Sequence, residues 1–239
     1  MAKLVFDIET IGENYDEMDE ATKEIMLKWL KKESYSDEEY QREVDAVKDN
    51  LGFSPLTGSI VAIGVLEVEE GKGLPAGRQG AVYYQNPDDP EAEQETDGVK
   101  LKAMSEKAML EKFWEVAAHA SECISFNGRA FDVPFILVRS AVHGIRAPIN
   151  LMPPRYSSNA NHIDLLDQLT FFGSVRKKGN LHLWCRAFGI KSPKADGISG
   201  DDVGMLFKEK QFLKIAQYNI GDLRATRELY RYWNDYIRF

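Results

Sequence analysis

The sequence predicts an α/β fold, a mixed sheet flanked by helices, with a helical insertion near the N-terminus. Two observations predict it. Strand-like runs rich in β-branched, aliphatic and aromatic residues fall at about 3–8, 60–68, 81–86, 122–126 and 161–164. They alternate with segments whose apolar residues recur at helical spacing, the pattern of a sheet covered by helices. The 239 residues are 44% hydrophobic and 28% charged, ample for a core, and show no internal repeat or low-complexity tract. One domain over residues 1–239, carrying an insertion at 13–57, is the simplest account.

In chain order, Leu4, Phe6 and Ile8 mark the first strand. The acidic stretch 13–57 reads as two helices. Met18, Ala21, Ile25 and Trp29 form one stripe; Tyr40, Val44, Val47 and Leu51 form the other, behind a capping box at Ser36 and Glu39. Both stripes read as packing surfaces. Ile60 to Leu66 is nearly continuous apolar sequence, suiting a strand covered on both faces. A glycine-rich loop, Glu69 to Gly80, leads to the strand Ala81 to Gln85; its Gly71-Lys72-Gly73 lacks the phosphate-loop pattern. Residues 86–100, polar and holding Pro87 and Pro90, read as a mobile surface excursion. A helix at about 104–119 turns Met109, Phe113, Val116 and Ala117 inward. Cys123 to Phe126 is a short strand, followed by a turn at Asn127-Gly128 and a helix through Val142. His162 to Leu165 is one more strand running into a helical turn, and 180–188, 202–210 and 212–235 read as helices. On the strand at 161–164, His162 and Asp164 could line a cleft, although a histidine held by a structural hydrogen bond is the commoner case.

The net charge of −8 is unevenly placed. Residues 1–50 hold 15 acidic against 7 basic side chains, and the remainder holds 23 of each, so a basic surface outside the N-terminal fifth is compatible with the total. No run approaches eighteen apolar residues, so neither a transmembrane helix nor a membrane partner is expected. The N-terminus enters the acidic strand without a charged-then-apolar signal segment, and Cys123 and Cys185 lack metal spacing. The expectation is a cytoplasmic protein with reduced, buried thiols.

Three stretches carry chemistry. In Val5-Phe6-Asp7-Ile8-Glu9-Thr10 successive side chains alternate faces, so Asp7 and Glu9 share one, anchored roughly 6–7 Å apart. Two like charges on a half-buried strand raise each other's pKa unless a cation lies between them, and a hard oxygen-seeking ion such as Mg²⁺ or Mn²⁺ suits the pair. The plainer reading is a solvated strand edge. Asn127-Gly128-x-x-Phe131-Asp132-x-Pro134-Phe135 places Asp132 at or near a helix start, where it is either a functional acid or an N-cap. In Tyr218-Asn219-Ile220-Gly221-Asp222, Tyr218 and Asp222 lie one turn apart on a helix face with Ile215, Ala225 and Leu229. Leu213, Ala216, Ile220 and Leu223 form a second stripe, so this helix reads as buried on two sides. An acid on such a face needs a partner, an arginine or a shared metal.

In this order the three stretches resemble the exonuclease motifs of the DEDD superfamily. In particular they resemble the predicted 3′–5′ exonucleases similar to the proofreading domain of family B DNA polymerases. The motifs span about residues 4–226. The resemblance implies a ribonuclease H-like fold and metal binding by Asp7, Glu9, Asp132 and Asp222. It makes Tyr218 the helper of the tyrosine subclass, since a histidine-subclass chain would carry its histidine at the position of Gln217. Thr10, Asn127 and Phe131, inside the motifs, are expected to touch substrate. The 13–57 insertion departs from a minimal member and bears on substrate access.

The chemistry is consistent with this. Two divalent ions can neutralise a phosphodiester, activate water and stabilise the leaving oxygen, and four carboxylates match their charge. With an unperturbed pKa of about 10, Tyr218 is better suited to orienting water than to deprotonating it.

On the substrate side, Gln168 to Ala195 contains no acid but holds Arg176, Lys177, Lys178, Arg186, Lys191 and Lys194 among Phe171, Phe172, His182 and Trp184. Phosphate contacts plus stacking platforms suit single-stranded nucleic acid. Alternatively Trp184 and Phe188 belong to the core and the lysines to a solvated turn. Arg176, Lys177 and Lys178 are the candidate contacts. The expected activity is metal-dependent 3′–5′ hydrolysis of single-stranded ends, using two Mg²⁺ or Mn²⁺ ions, with DNA favoured over RNA by the resemblance alone. A ribonuclease trimming RNA or short oligoribonucleotides, or a nucleic-acid-binding module without turnover, are the alternatives; protein partners are unknown.

Overall fold

The computed structural model describes residues 2–30, 36–68, 79–157, 161–192 and 200–238. Among these, seven strands form one mixed sheet in the order β4-β5-β3-β2-β1-β6-β7. The strands are β1 (Lys3–Gly12), β2 (Gly58–Glu67), β3 (Gly80–Tyr84), β4 (Glu93–Thr96), β5 (Val99–Ala103), β6 (Glu122–Ser125) and β7 (His162–Asp164). β1 runs antiparallel to β2 and parallel to β6, which is parallel to β7. The expected mixed sheet flanked by helices is present.

β1 lies inside this sheet with both faces covered. Leu4, Phe6 and Ile8 face α3 (Glu106–Ala117) and α4 (Asp132–Val142), where the Phe6 ring packs 5.4 Å from Phe113. Val5 faces the other way, into a core built with α5 (Leu165–Leu169), α7 (Val203–Lys208) and the long α8 (Phe212–Tyr236). Alternation along β1 therefore sends Asp7 and Glu9 toward α8 rather than to a solvated edge. As expected, α8 is buried on two sides, Ile215, Ala225 and Leu229 on one and Ala216, Ile220 and Leu223 on the other.

Glu106 fastens the opposite layer. Its buried carboxylate accepts from the Ile60 amide (2.8 Å), from Arg139 Nε and Nη2 (2.9 and 2.7 Å) and pairs with His143 Nε2 (2.7 Å). It thus joins α3, α4 and β2, and its pKa lies below the ordinary value because these donors outweigh burial.

Two expectations are corrected. Part of the stretch 86–100 is ordered sheet: β4 and β5 form a hairpin at the sheet edge through Asp97 and Gly98 at positive φ of 49° and 76°. The Asp-Gly turn and the alternation of Val99, Leu101 and Ala103 with Lys100 and Lys102 are its sequence signals. Lys100 and Lys102 pair with Glu93 at 2.6 and 3.7 Å, which keeps this edge charged. In the insertion, α1 (Glu20–Leu27) and α2 (Asp37–Asp49) form, and the Ser36 hydroxyl accepts from the Glu39 amide as the capping pattern requires. The first stripe, however, is not a packing surface against the described residues: α1 buries no side chain, and Ile25 and Trp29 are 70% and 69% exposed. Only Val44 and Leu51 of the second stripe are buried. The insertion is tied at its neck, where the Glu13 amide donates to the Thr57 carbonyl (2.8 Å). The glycine-rich loop lies almost wholly outside the described residues. α6 (Leu181–Phe188) completes the helices.

Candidate active site

The site is built where the middle of β1 meets the first turns of α8. Among the described residues, Asp7, Glu9 and Asp222 each offer a carboxylate oxygen within 4.8 Å of the others. Their separation in sequence is closed by the packing of α8 across β1 and β2. A register shift between Glu9 and Thr10 interrupts the ladder immediately after the second acid, a place where a bulge re-aims side chains.

The two acids of β1 are bridged by a side-chain amide. Asn219 Nδ2 donates to Asp7 Oδ2 at 2.8 Å and to Glu9 Oε1 at 3.3 Å. Asn219 is fully buried, and its Oδ1 has no hydrogen-bond partner among the described residues. It fits because β2 carries glycine opposite Asp7: a Cβ on Gly64 would stand 1.9 Å from Asn219 Oδ1 and 2.5 Å from Leu223 Cδ1.

The carboxyls are electrostatically unsettled. Burial raises Asp7 well above the ordinary range, and the charges of Asp132, Asp222 and Glu9 raise it further. Burial likewise raises Glu9, together with the charges of Asp222 and Asp132 and against the Asn219 hydrogen bond. Crowded, desolvated carboxyls of this kind are the donor set a hard divalent ion would relieve. Tyr218, half-buried on the same face of α8, is raised far above 10 by burial, by the charges of Asp222 and Glu9 and by a hydrogen bond to Asp222. Its hydroxyl is therefore neutral and acts as a donor.

Asp132 reaches the same region from α4. It is the first residue of the helix rather than its N-cap, which is Phe131. Its Oδ1 instead accepts from the Ile8 amide at 3.1 Å, on the strand between Asp7 and Glu9. Burial, with the charges of Asp164 and Asp222, lifts its pKa to about 7. The turn that delivers it is held by Asp164 at the end of β7. The Asp164 carboxylate accepts from the amides of Asn127 (2.9 Å), Arg129 (3.0 Å) and Leu166 (2.9 Å). Asn127 sits at φ 63°, a left-handed conformation asparagine tolerates better than most residues.

The remaining sequence candidates are placed as follows. The Thr10 hydroxyl donates to the Gly52 carbonyl at 2.7 Å, tying β1 to the returning end of the insertion. Phe131 is half-buried between Phe135 and Phe53, at centroid distances of 5.6 and 6.2 Å. Arg176, Lys177 and Lys178 are exposed on the segment between α5 and α6, and no bond joins them to the acids. Trp184 packs partly buried on the core, its Nε1 donating to the Lys178 carbonyl. His162 is structural: Nδ1 donates to the Leu151 carbonyl and Nε2 accepts from Ser125 Oγ, each at 2.8 Å. Both cysteines are free and buried. Asn219 and Gly64 were not singled out from sequence. The available signal was a polar residue within the Ala216, Ile220, Leu223 stripe and a glycine within the apolar run of β2.

Comparisons with known proteins give a family and a fold. Residues 90–234 match a family model described as a predicted 3′–5′ exonuclease related to the exonuclease domain of PolB. That range holds Asp132, Tyr218 and Asp222 but not β1. Among solved structures, the chain resembles the family B DNA polymerase of the hyperthermophilic archaeon Pyrobaculum calidifontis, with a TM-score of 0.56 and 14% identity over 98% of this chain. It spans 24% of that polymerase's length, and at this identity the likeness is one of fold. No curated protein matches. No helix of the described residues is long and apolar enough to cross a membrane.

Proposed function

Because the chain belongs to the family of predicted 3′–5′ exonucleases related to the exonuclease domain of PolB, we propose that it hydrolyses single-stranded nucleic acid from the 3′ end in a metal-dependent reaction. The observation that carries this reading is the convergence of Asp7, Glu9 and Asp222 within 4.8 Å, with Asp132 and Tyr218 beside them. A purely structural role is a poor account of so many buried carboxyls, since each raises the pKa of its neighbours.

Asp7, Glu9, Asp132 and Asp222 are the residues that would hold the metal, and hard carboxylate oxygens select Mg²⁺ or Mn²⁺. A pair of such ions would supply charge neutralisation at the phosphate, a nucleophilic water and stabilisation of the leaving oxygen. The chain's own contribution is orientation. Asn219 holds Asp7 and Glu9 against one another, and the Ile8 amide fixes Asp132. The neutral Tyr218 hydroxyl positions the attacking water as a hydrogen-bonding partner rather than as a phenolate base. Water oxygen bonds to phosphorus as the bond to the 3′ oxygen breaks, leaving a 3′-hydroxyl on the strand and releasing a nucleoside 5′-monophosphate. Thr10, Asn127, Phe131, Arg176, Lys177 and Lys178 are proposed to contact the strand, and residues 1–239 to form one exonuclease domain. DNA is the favoured substrate because both similarities lead to a DNA polymerase.

End-labelled single-stranded DNA and RNA, offered with Mg²⁺, Mn²⁺ or EDTA, test this directly. Mononucleotides released from the 3′ end in the presence of metal, and lost in Asp7→Asn and Asp222→Asn, are expected. Near-parental activity in either variant removes the proposed site.

A further inference from the structure

A cavity of about 530 Å³ opens along the edge of the sheet beside β7, on the side where α5 and the end of α8 pack. This is within the roughly 300–1,000 Å³ typical of small-molecule sites. None of Asp7, Glu9, Tyr218 or Asp222 lines it, so it is separate from the acidic cluster. We infer that this cavity is a second binding site, for a nucleotide unit, with the base against Phe171, Phe172 and Tyr156 and the phosphate at Arg129 and Arg155.

The aromatic wall is unusual in its backbone. Phe171 and Phe172 hold φ of 49° and 55°, a left-handed conformation rarely adopted by residues with a Cβ. They end α5 through a bond from the Phe172 amide to the Asp167 carbonyl (2.7 Å), a position normally taken by glycine or asparagine. Strain of this kind persists where surroundings over-determine it, and it gathers at ligand sites. The result is a set of rings open to solvent at the cavity: Phe171 and Tyr156 are 51% and 77% exposed, and Tyr156 meets Phe172 edge-on at 4.9 Å. Exposed aromatics give a base a stacking platform whatever its identity.

On the charged wall two guanidinium groups stand beside two carboxylates, and Arg129 Nη2 donates to the Pro153 carbonyl at 2.9 Å. Both guanidinium groups converge on one carboxylate oxygen, Arg155 Nε at 2.9 Å and Arg129 Nε at 3.8 Å from Asp167 Oδ2. The other lining acid, Asp164, directs its oxygens to the backbone amides of Asn127, Arg129 and Leu166. Arg155 makes no other bond among the described residues, so its two terminal nitrogens are available to a phosphate. Arg238, also at the cavity, pairs with Glu122 at 2.6 Å and is not part of this set. The same loop continues into exposed Arg176, Lys177 and Lys178, which extend the positive surface outward.

Two sources supply this chemistry, a free nucleoside 5′-monophosphate and a nucleotide within a bound strand. Identifying either as product or substrate rests on the proposed exonuclease reading; the binding itself does not. Titrations of dAMP and of a short oligodeoxyadenylate into the full chain in EDTA test it without catalysis, for the parent, Arg155→Gln and Phe172→Gly. Glycine relieves the left-handed strain while removing the ring, so Phe172→Gly is expected to melt no lower than the parent. Both variants are expected to weaken binding of at least one ligand by about tenfold, the scale of one lost stacking or charge-assisted contact. Loss in the dAMP titration identifies a free-nucleotide site, and loss with the oligonucleotide alone identifies a strand subsite. Unchanged affinity for both ligands in either variant overturns the inference. Because EDTA abolishes metal-dependent turnover, this result stands apart from that of the hydrolysis assay.

Discussion

Replacing Gly64 by alanine probes the support beneath the acidic cluster without touching an acid. The added Cβ would lie 1.9 Å from Asn219 Oδ1 and 2.5 Å from Leu223 Cδ1, against 3.4–4 Å for ordinary contact. The amide must therefore recede by about 1.5 Å to reach ordinary contact distance, enough to break its 2.8 Å and 3.3 Å bonds to Asp7 and Glu9. Overpacking costs about 1–3 kcal/mol and each lost hydrogen bond about 0.5–1.5 kcal/mol, partly offset by about 0.4–1 kcal/mol from the stiffer unfolded chain. A net loss of about 2–4 kcal/mol corresponds to a Tm lower by about 5–15 °C for a chain of this size. Urea unfolding followed by tryptophan fluorescence measures it. The reasoning is specific to Asn219, so the decisive assay is the cycle with Asn219→Ala, which removes the nearer obstacle. In that background Gly64→Ala is expected to cost at least about 1 kcal/mol less than in the parent. Additivity within about 0.5 kcal/mol refutes the proposed wedge.

Other outcomes follow from the same geometry. Tyr218→Phe keeps the ring and deletes the hydroxyl, so kcat is expected to fall by roughly ten- to a thousand-fold with metal affinity unchanged. A preserved single-turnover rate with a lowered Tm would make that tyrosine structural. Replacing Lys177 and Lys178 with glutamate is expected to weaken single-strand binding and flatten its salt dependence; unaltered affinity and slope take that segment off the substrate path. His162 supplies a pH test. Burial first, and then the charge of Arg129, lowers its pKa to about 4 against the hydrogen bond to Leu151, while the unfolded side chain titrates near 6.5. The unfolded state therefore binds the extra proton between these values, and stability is lost as pH falls from 6.5 through about 4, by about 3 kcal/mol in all. His162→Gln is expected to shrink this acid-side loss, as read from urea midpoints across that window; an equal loss in the variant discounts the histidine.

Much of the molecule was legible from residues alone because the signals are local. Alternation in Leu4, Phe6 and Ile8 predicts a strand that places Asp7 and Glu9 on one face, and the three-layer packing keeps them together there. Helical spacing predicts α8 buried on two sides, and it is. Misreadings arose where a local pattern has two meanings. The polar stretch 86–100 concealed a hairpin whose outward residues are charged because it forms the sheet edge. The stripe ending in Ile25 and Trp29 has helical spacing, yet those two side chains stand mostly exposed.

By itself, then, the sequence determined five of the seven strands and the helices between them, the three acid-bearing stretches and the face that Asp7 and Glu9 share. Those features depend on neighbours within one or two turns. Tertiary structure alone decided which elements meet. Asp7 and Asp222 come together because α8 crosses β1 in the middle of the sheet, and Asn219 can bridge Asp7 and Glu9 because β2 leaves a notch at Gly64. The cavity beside β7 likewise needs Arg129 from one turn, Arg155 from a loop and the two phenylalanines after α5 to converge. Each of these depends on chain segments far apart in sequence, whose meeting is set by how the layers pack rather than by any local periodicity.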